Sequence, residues 1–544
     1  MLKLSGDAGK IYSRIKGYFT SKCPYSELRE EIEKFVPARD AEIIQERQRY
    51  VKKMIDISGR VDFQKVRMLE KVKVKKMFLS DRVFVAETHE EYQKASKLGV
   101  CQVVRERDEL HFPIVLNDFV RDVSPENLAP EMFIYPLLNS IDSFRSLAEL
   151  EMSATGDNRY MKILHELLEL EKFYRRIEEI RNLKKMINEL EDRINAEIER
   201  KLSDIKVTLT ADELLKIMES REITGEIERE INSVIEEYEK QLEKFGINEP
   251  VFLRTYPVRT DRDAISKALD SLRENLSLEF YLRCLKLVER VDLNEINRKI
   301  SYYRSLYLYR TLQNERFVFP EFGDGTEFIN GRNLFISDPL PVSYCIGNSS
   351  FFNLSERVVV LTGANSGGKT SLLELICQIV ILAHMGFPVN AETARVSVYD
   401  EVFYFKRKTS AYGSGAFERA IKNMAKAISG QGRKLILIDE FESVTEPGAG
   451  AKILSSLLKI ADRKGHHVVV VSHLGQEFQE HDFLRIDGIE AKGLDERLNL
   501  VVERQPVFGR IGKSTPELII ERLREKNRGE LRRIFTEILD SFRS

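Results

Sequence analysis

The octapeptide GANSGGKT, residues 363–370, constrains the fold more than any other feature, because it lies between the apolar run VVVLT and the breaker-free stretch SLLELICQIVILAHM. Its spacing is G-x-x-x-x-G-K-[ST], and its context is strand, glycine loop, helix. Backbone N–H groups of Gly363, Ala364, Asn365, Ser366, Gly367 and Gly368 then converge on phosphate at a helix N-terminus. Lys369 is expected at the β- and γ-phosphates and Thr370 at Mg²⁺, with Ser371 beside them in the first helical turn. A loop of this kind needs a buried parallel strand behind it. The later buried runs KLILIDE and HHVVVVSH supply further strands, so the C-terminal part reads as a mostly parallel sheet with helices on both faces.

LILIDE ends in Asp439 and Glu440, an acidic pair at the mouth of an apolar strand. Alone, such a pair is a common helix N-cap. Beside a glycine loop it predicts Asp439 in the magnesium shell and Glu440 as the base that orients and deprotonates water. His473, closing VVVVSH, is placed to reach a γ-phosphate. His466 and His467, at the start of that strand, read as surface residues. The polar loop KTSAYGSG enters a helix, where amides and Ser414 suit phosphate, although a plain cap explains it equally. Phe351 and Phe352 precede the first strand; either stacks on an adenine or packs in the core. The site set is therefore Glu440, Lys369 and His473 for catalysis, Thr370 and Asp439 for Mg²⁺, and the loop with Ser414 and Phe352 for ATP.

Residues 1–56 carry helical spacing. Residues 57–123 alternate strand, strand, helix, strand (KVKVKKMF, RVFVAE, HEEYQKASKLG, CQVVRER) and predict a small α/β domain. Residues 124–316 are helical. Between residues 158 and 204, apolar side chains recur every three or four positions with no Gly or Pro, which at about 1.5 Å per residue makes a rod of about 70 Å. A second run, EIEREINSVIEEYEKQLEKF, the break GINEPVFLRTYPV and a third run over residues 263–311 follow. Periodicity alone leaves open a lever arm with something at its tip and an ordinary coiled-coil spacer. Residues 317–513 form the phosphate-loop domain, and residues 514–544 read as helix, turn, helix.

Charged residues make up 32% of the 544-residue chain but nearly cancel, to a net charge of −2. No global basic field marks a nucleic-acid partner, so any DNA contact is local. Cys23, Cys101, Cys284, Cys345 and Cys377 are scattered without a CxxC pair, against zinc and against a disulfide framework. No signal-peptide run and no membrane-length apolar stretch is present, and a cytoplasmic location is expected.

In the order GRNLF, NLSERVVVLTGANSGGKTSLLE, MGFPVNAETARVSVYDEVFYF, LILIDEFESVTEPGAGA and VSHL, the last 230 or so residues resemble the ATPase domain of the MutS family. MGFPVNAE has no counterpart in generic phosphate-loop proteins. VFGRIGKSTPELIIERL resembles the family's dimer-forming tail. The resemblance implies a multidomain α and α/β protein: a small N-terminal α/β domain, a helical core with lever and clamp, and an ABC-like ATPase. It further implies a homodimer sandwiching each ATP, with Ser414, or Gly415, serving the partner's site. Here Ala364 replaces the usual Pro and SGAF the usual Ser-Thr-Phe. No mismatch-reading Phe-x-Glu wedge and no Smr-type nuclease domain is found, which most resembles the short archaeal branch of the second MutS-like family. Mismatch recognition is then not expected. ATP hydrolysis with DNA binding of low sequence specificity, in repair or recombination, is.

Nine basic residues between Lys52 and Lys76 face only Asp56, Asp62 and Glu70, a patch suited to phosphate and equally to a solvated surface. Arg254, Tyr256, Arg259 and Arg262 lie in the break between rods, beside an acidic helix. Two rival readings remain: an ABC-type DNA tether, disfavoured because both nucleotide motifs follow the helices, and the same ATPase acting on RNA or ribosomes.

Overall fold

The computed structural model describes residues 1–23, 25–106, 112–120, 122–203, 210–212, 225–313, 317–363, 367–406, 414–440, 447–495, 500–512 and 516–541. The chain divides into two compact units, one built from Met1–Val61 with Ser301–Ser544 and one from Asp62–Ile300.

The first unit is organised by a six-stranded sheet in the order Lys3–Leu4, Glu401–Phe405, Lys434–Asp439, His467–Val471, Val358–Gly363, Arg485–Ile489. Every pairing is parallel. Side chains of a strand alternate between faces. Accordingly Val358, Val360, Ile436, Ile438, Val468 and Val470 pack with the helices Ser414–Ile428 and Pro447–Arg463. The opposite face carries the helix Lys369–Met385, which is buried along nearly its whole length. That explains why its sequence is apolar all round and not amphipathic. A four-stranded mixed sheet (Glu321–Gly323, Thr393–Ser397, Thr326–Gly331, Val342–Ile346) completes the unit.

The opening segment, expected as a separate helical piece, is built into this unit. Lys3 and Leu4 extend the large sheet against Glu401 and Val402. Ser5 then caps the helix Gly6–Thr20, while its hydroxyl donates to the Tyr404 carbonyl and accepts from the Tyr404 N–H. Ile11, Ile15 and Phe19 are buried, and Phe19 meets Phe387 edge-on at 6.1 Å. A two-residue edge strand has no sequence signature, so helical spacing was all that could be read there.

In the second unit a small parallel sheet pairs Leu79–Val85 with Cys101–Val104 on one side and Ile114–Val115 on the other. The helix His89–Leu98 is set by a Thr88/Glu91 capping box and a left-handed Gly99. KVKVKKMF, expected as a strand, joins no ladder; pairing begins only at Leu79. Valine and lysine alternation gave strand periodicity, but no neighbouring strand is available to it.

The rod is present as one 45-residue helix, Arg159–Ser203. Leu183, Ile187, Leu190, Ile194 and Ile198 form a seam with Ile231, Val234, Ile235 and Leu242 of the helix Gly225–Glu243 and with Ile265 and Leu269 of the helix Arg262–Val288. The expected third run over residues 263–311 is broken instead into Arg262–Val288, Leu293–Ser305 and Tyr307–Leu312. Asp292 accepts from the N–H groups of Asn294 and Glu295 and so starts the second piece. The break between rods is a short hairpin, Phe252–Leu253 with Arg259–Thr260, held by the Asn195 amide on both backbone groups of Val258. Arg254 there pairs with Glu236 and Glu239, so its charge is offset within the unit. Among the described residues no helix is long and apolar enough to cross a membrane.

Arg82 joins the two parts of this unit. Its guanidinium is buried, bidentate on Glu131 at 2.7 and 3.0 Å, and lies 4.8 Å over the Tyr281 ring. Asp81 accepts from the same guanidinium at 2.9 and 3.3 Å, so removing Glu131 leaves Arg82 buried with only this partly exposed partner. Glu131→Ala should lower local stability by about 3 kcal/mol, the low end for a broken buried pair, read as faster hydrogen exchange across Leu79–Val85, and Arg82→Met with Glu131→Leu should restore most of it.

Candidate active site

The strand Val358–Gly363 is buried throughout and ends in a glycine with φ of +120°. A Cβ on Gly363 would stand 2.0 Å from the Ile489 carbonyl oxygen, so only glycine fits. Gly368, φ +89°, is the N-cap of the helix Lys369–Met385 and offers no side-chain cap. A helix N-terminus without a side-chain cap suits an anion.

Lys369 is 4% exposed, and its ammonium donates to the Gly363 carbonyl at 2.6 Å, closing the loop on itself. The Thr370 hydroxyl hydrogen-bonds both oxygens of Asp439, at 3.1 and 2.9 Å. Asp439 ends its strand level with Val471 of the neighbouring strand. Burial pushes the Asp439 carboxyl above the usual range, and Glu440 adds to this, while Thr370 and the nearby lysines oppose it. An undercompensated buried carboxylate beside a hydroxyl is a hard-oxygen donor pair that a small divalent cation satisfies, so these residues fit Mg²⁺.

Glu440 follows in a left-handed conformation, φ +55°, which costs a non-glycine residue about 1 kcal/mol or more. The turn brings its carboxylate to 3.8 Å from Nε2 of His473, two residues beyond the end of the adjacent strand. The structure thus gathers Gly363, Gly367, Gly368, Lys369, Thr370, Ser371, Asp439, Glu440 and His473 at the carboxyl edge of one sheet. Ala364, Asn365 and Ser366 lie outside the described residues. Ser414 begins the helix Ser414–Ile428, and its side chain is likewise outside them.

Phe352 is not brought to the loop. Its ring packs against Phe508 at 5.0 Å, and Phe508 lies 5.0 Å from the Arg485 guanidinium. Arg485 pairs with Val359, four residues and about 13 Å back along the strand from Gly363. Phe351 sits near Arg395. A different apolar recess adjoins the loop: a cavity of about 240 Å³ bounded by Gly368, Ser371, Pro339, Leu340, Leu375 and Arg504. Asn333 positions its wall, donating to the Ser371 carbonyl and accepting from Gln378. Asn390 donates to the Arg332 carbonyl and to Gln378, which gives MGFPVNAE a structural reason. Asn333 was within reach of sequence analysis through GRNLF; Arg504 had no signal.

His466 and His467 are buried, not at the surface, because their strand lies inside the sheet with neighbours on both sides. Nδ1 of His467 is 2.7 Å from the Tyr399 hydroxyl, itself 2.7 Å from Thr326 Oγ1. His384 is neutral by its partners: Nε2 accepts from the Tyr399 N–H, so Nδ1 donates to the Ala38 carbonyl.

The model of MutS domain V matches residues 359–484, which span the loop, the acidic pair and His473. A DNA-binding protein MutS2 of Pyrococcus furiosus is 42% identical over 570 residues, covering 100% of each chain. An endonuclease MutS2 of Gemmatimonas aurantiaca is 32% identical over 125 residues, 22% of this chain and 15% of that protein. The DNA mismatch repair protein MSH3 of Vanderwaltozyma polyspora is 26% identical over 226 residues, 39% of this chain and 22% of that one. The fold and site define an ABC-like phosphate-loop protein. Full-length identity goes further: the chain belongs to the MutS2 family.

Burial, reinforced by Arg433 and Arg357, lowers the His467 imidazole to about 3, and burial lowers His384 and His466 as well. Neutral histidines in the fold and titrating ones in the unfolded chain make stability complete above about pH 6.5 and lost as pH falls below it. The His467 share is up to about 1.4 kcal/mol per pH unit. Melting temperature should drop between pH 7 and 5, and His467→Gln should flatten that drop.

Proposed function

We propose that this protein hydrolyses ATP and uses the cycle to control how a homodimer holds DNA with little sequence preference, in repair or recombination without mismatch reading. The observation that carries the reading is the set Lys369, Thr370, Asp439 and Glu440 at one sheet edge, with Lys369 and Asp439 buried. The name of the full-length Pyrococcus furiosus relative supplies the DNA partner.

Lys369 is held under the loop by the Gly363 carbonyl, where it can exchange that partner for β- and γ-phosphate oxygens. The N–H groups at the start of the helix Lys369–Met385 orient the same phosphates. Thr370 and Asp439 would hold Mg²⁺, which would supply charge compensation for the phosphate oxygens. Glu440 takes a proton from the attacking water as its oxygen bonds the γ-phosphorus and the bond to the bridging oxygen breaks. His473, beside Glu440, positions that water or the γ-phosphate. The recess at Pro339, Leu340 and Leu375 takes the base in place of Phe352.

Support for the dimer comes from the paired helices Pro516–Lys526 and Glu530–Ser541, whose Ile519, Leu531, Ile534 and Ile538 are exposed. Such apolar residues on a terminal hairpin suit a second copy. Ser414 heads a helix and is assigned to the partner's nucleotide.

Lys369→Ala should weaken ATP binding by about 10- to 100-fold, the worth of a charge-assisted contact. Glu440→Gln should bind ATP normally but turn it over about 10²- to 10⁴-fold more slowly. Equal turnover by Glu440→Gln and wild type would remove the general-base assignment.

A further inference from the structure

The second unit contains a cleft of about 850 Å³, within the range of ligand sites. One wall is the ladder-free segment 71–78, which presents Lys73, Lys75, Lys76 and Phe78. This segment is tethered at both ends. Asn297 holds both backbone groups of Val72, at 2.8 Å each, and the Leu79 N–H donates to the Val100 carbonyl at 2.7 Å. The lysines are thus displayed on a fixed track. Among the described residues, none of the three is ion-paired to a carboxylate.

The opposite wall is aromatic. Phe280, 3% exposed, stacks on Tyr135 at 5.6 Å with planes 29° apart. Phe78, in contrast, is 61% exposed at the lysine side. Asp81, Arg82 and Glu131, which also line the cleft, pair with one another, so the three lysines are its unpaired charges among the described residues. A ligand with phosphates along the lysines and a flat face on the exposed Phe78 ring satisfies this wall, while Phe280 and Tyr135 close the cleft behind it. Paired bases are hidden in a duplex, whereas unpaired ones offer their faces to aromatic side chains.

The geometry points to this cleft as a binding site for unpaired nucleotides of a DNA strand, phosphates on Lys73, Lys75 and Lys76 and a base on Phe78. The inference rests on the DNA-binding reading above and assigns it a place. It makes forked DNA with unpaired arms a better ligand than blunt duplex.

The test uses the full chain, with fluorescence anisotropy on a fork carrying 2-aminopurine in one arm and on a blunt duplex of equal length. Wild type should prefer the fork and quench the probe. The triple variant Lys73→Ala, Lys75→Ala, Lys76→Ala should bind the fork about tenfold less tightly, with a salt slope smaller by about 2, at roughly 0.7 per lost single-strand contact. Changing the three to Arg should restore binding. Phe78→Ala should weaken binding about tenfold and abolish the quench while leaving the salt slope intact. All these positions are exposed and outside the ATP site, so melting temperature and basal ATP turnover should not change. Wild-type fork affinity and quench in both variants, or displacement of the fork by free thymidine monophosphate at similar concentration, would overturn the assignment. Binding of duplex without fork preference or quench overturns this inference alone; failure to bind any DNA overturns the DNA reading with it.

Discussion

The two hydrogen bonds from the Thr370 hydroxyl to Asp439 tie the start of a helix to the end of a strand that is not its neighbour. Between the strand feeding the helix and the strand bearing Asp439 lies His467–Val471. The tie spans it only because all six strands run in one direction, so their carboxyl ends open on the same edge. Everything chemically useful in the unit follows from that alignment. Glu440 is one residue past one strand, His473 two past the next, and Gly363 closes the third. Parallel pairing demands burial on both faces, and the apolar helix Lys369–Met385 supplies one of them.

Many buried polar groups of this unit are held in hydrogen-bonded networks. Asn333, Gln378 and Asn390 lock the loop after Gly331 to the phosphate-loop helix, and Thr362 links its strand to the Asp487 carbonyl and the Gly512 N–H. The Thr326, Tyr399 and His467 relay does the same between the two sheets. Buried networks of this kind fix a unique geometry when fully satisfied. Burial of His384, His466 and His467, which lowers all three imidazoles, also makes the unit acid-sensitive. The N-terminal segment adds to the same rigidity by pairing with Glu401 and by packing Phe19 and Phe35 on Phe387.

Sequence patterns that repeat over many residues were legible. The phosphate loop, the buried strands around it and the seam of the long helix each follow from local chemistry or period, and the acidic pair needed only the loop for context. Isolated long-range contacts were not legible. Lys3–Leu4 is too short to have a period, and Phe352 is one of two adjacent aromatics whose direction depends on Phe508, far along the chain. KVKVKKMF has strand periodicity without a strand to pair with. His466 and His467 read as polar and therefore exposed, because the Tyr399 hydroxyl that accommodates one of them lies 68 positions away.

In the proposed function the Lys369, Asp439 and Glu440 site governs the grip on DNA. DNA residence time, measured by competitor chase on the full chain in ATP, tests it most directly. Wild type should release DNA at a rate that follows ATP turnover, and Glu440→Gln should hold it far longer in ATP while matching wild type without nucleotide. Identical release by the two proteins in ATP would contradict the coupling of this site to DNA.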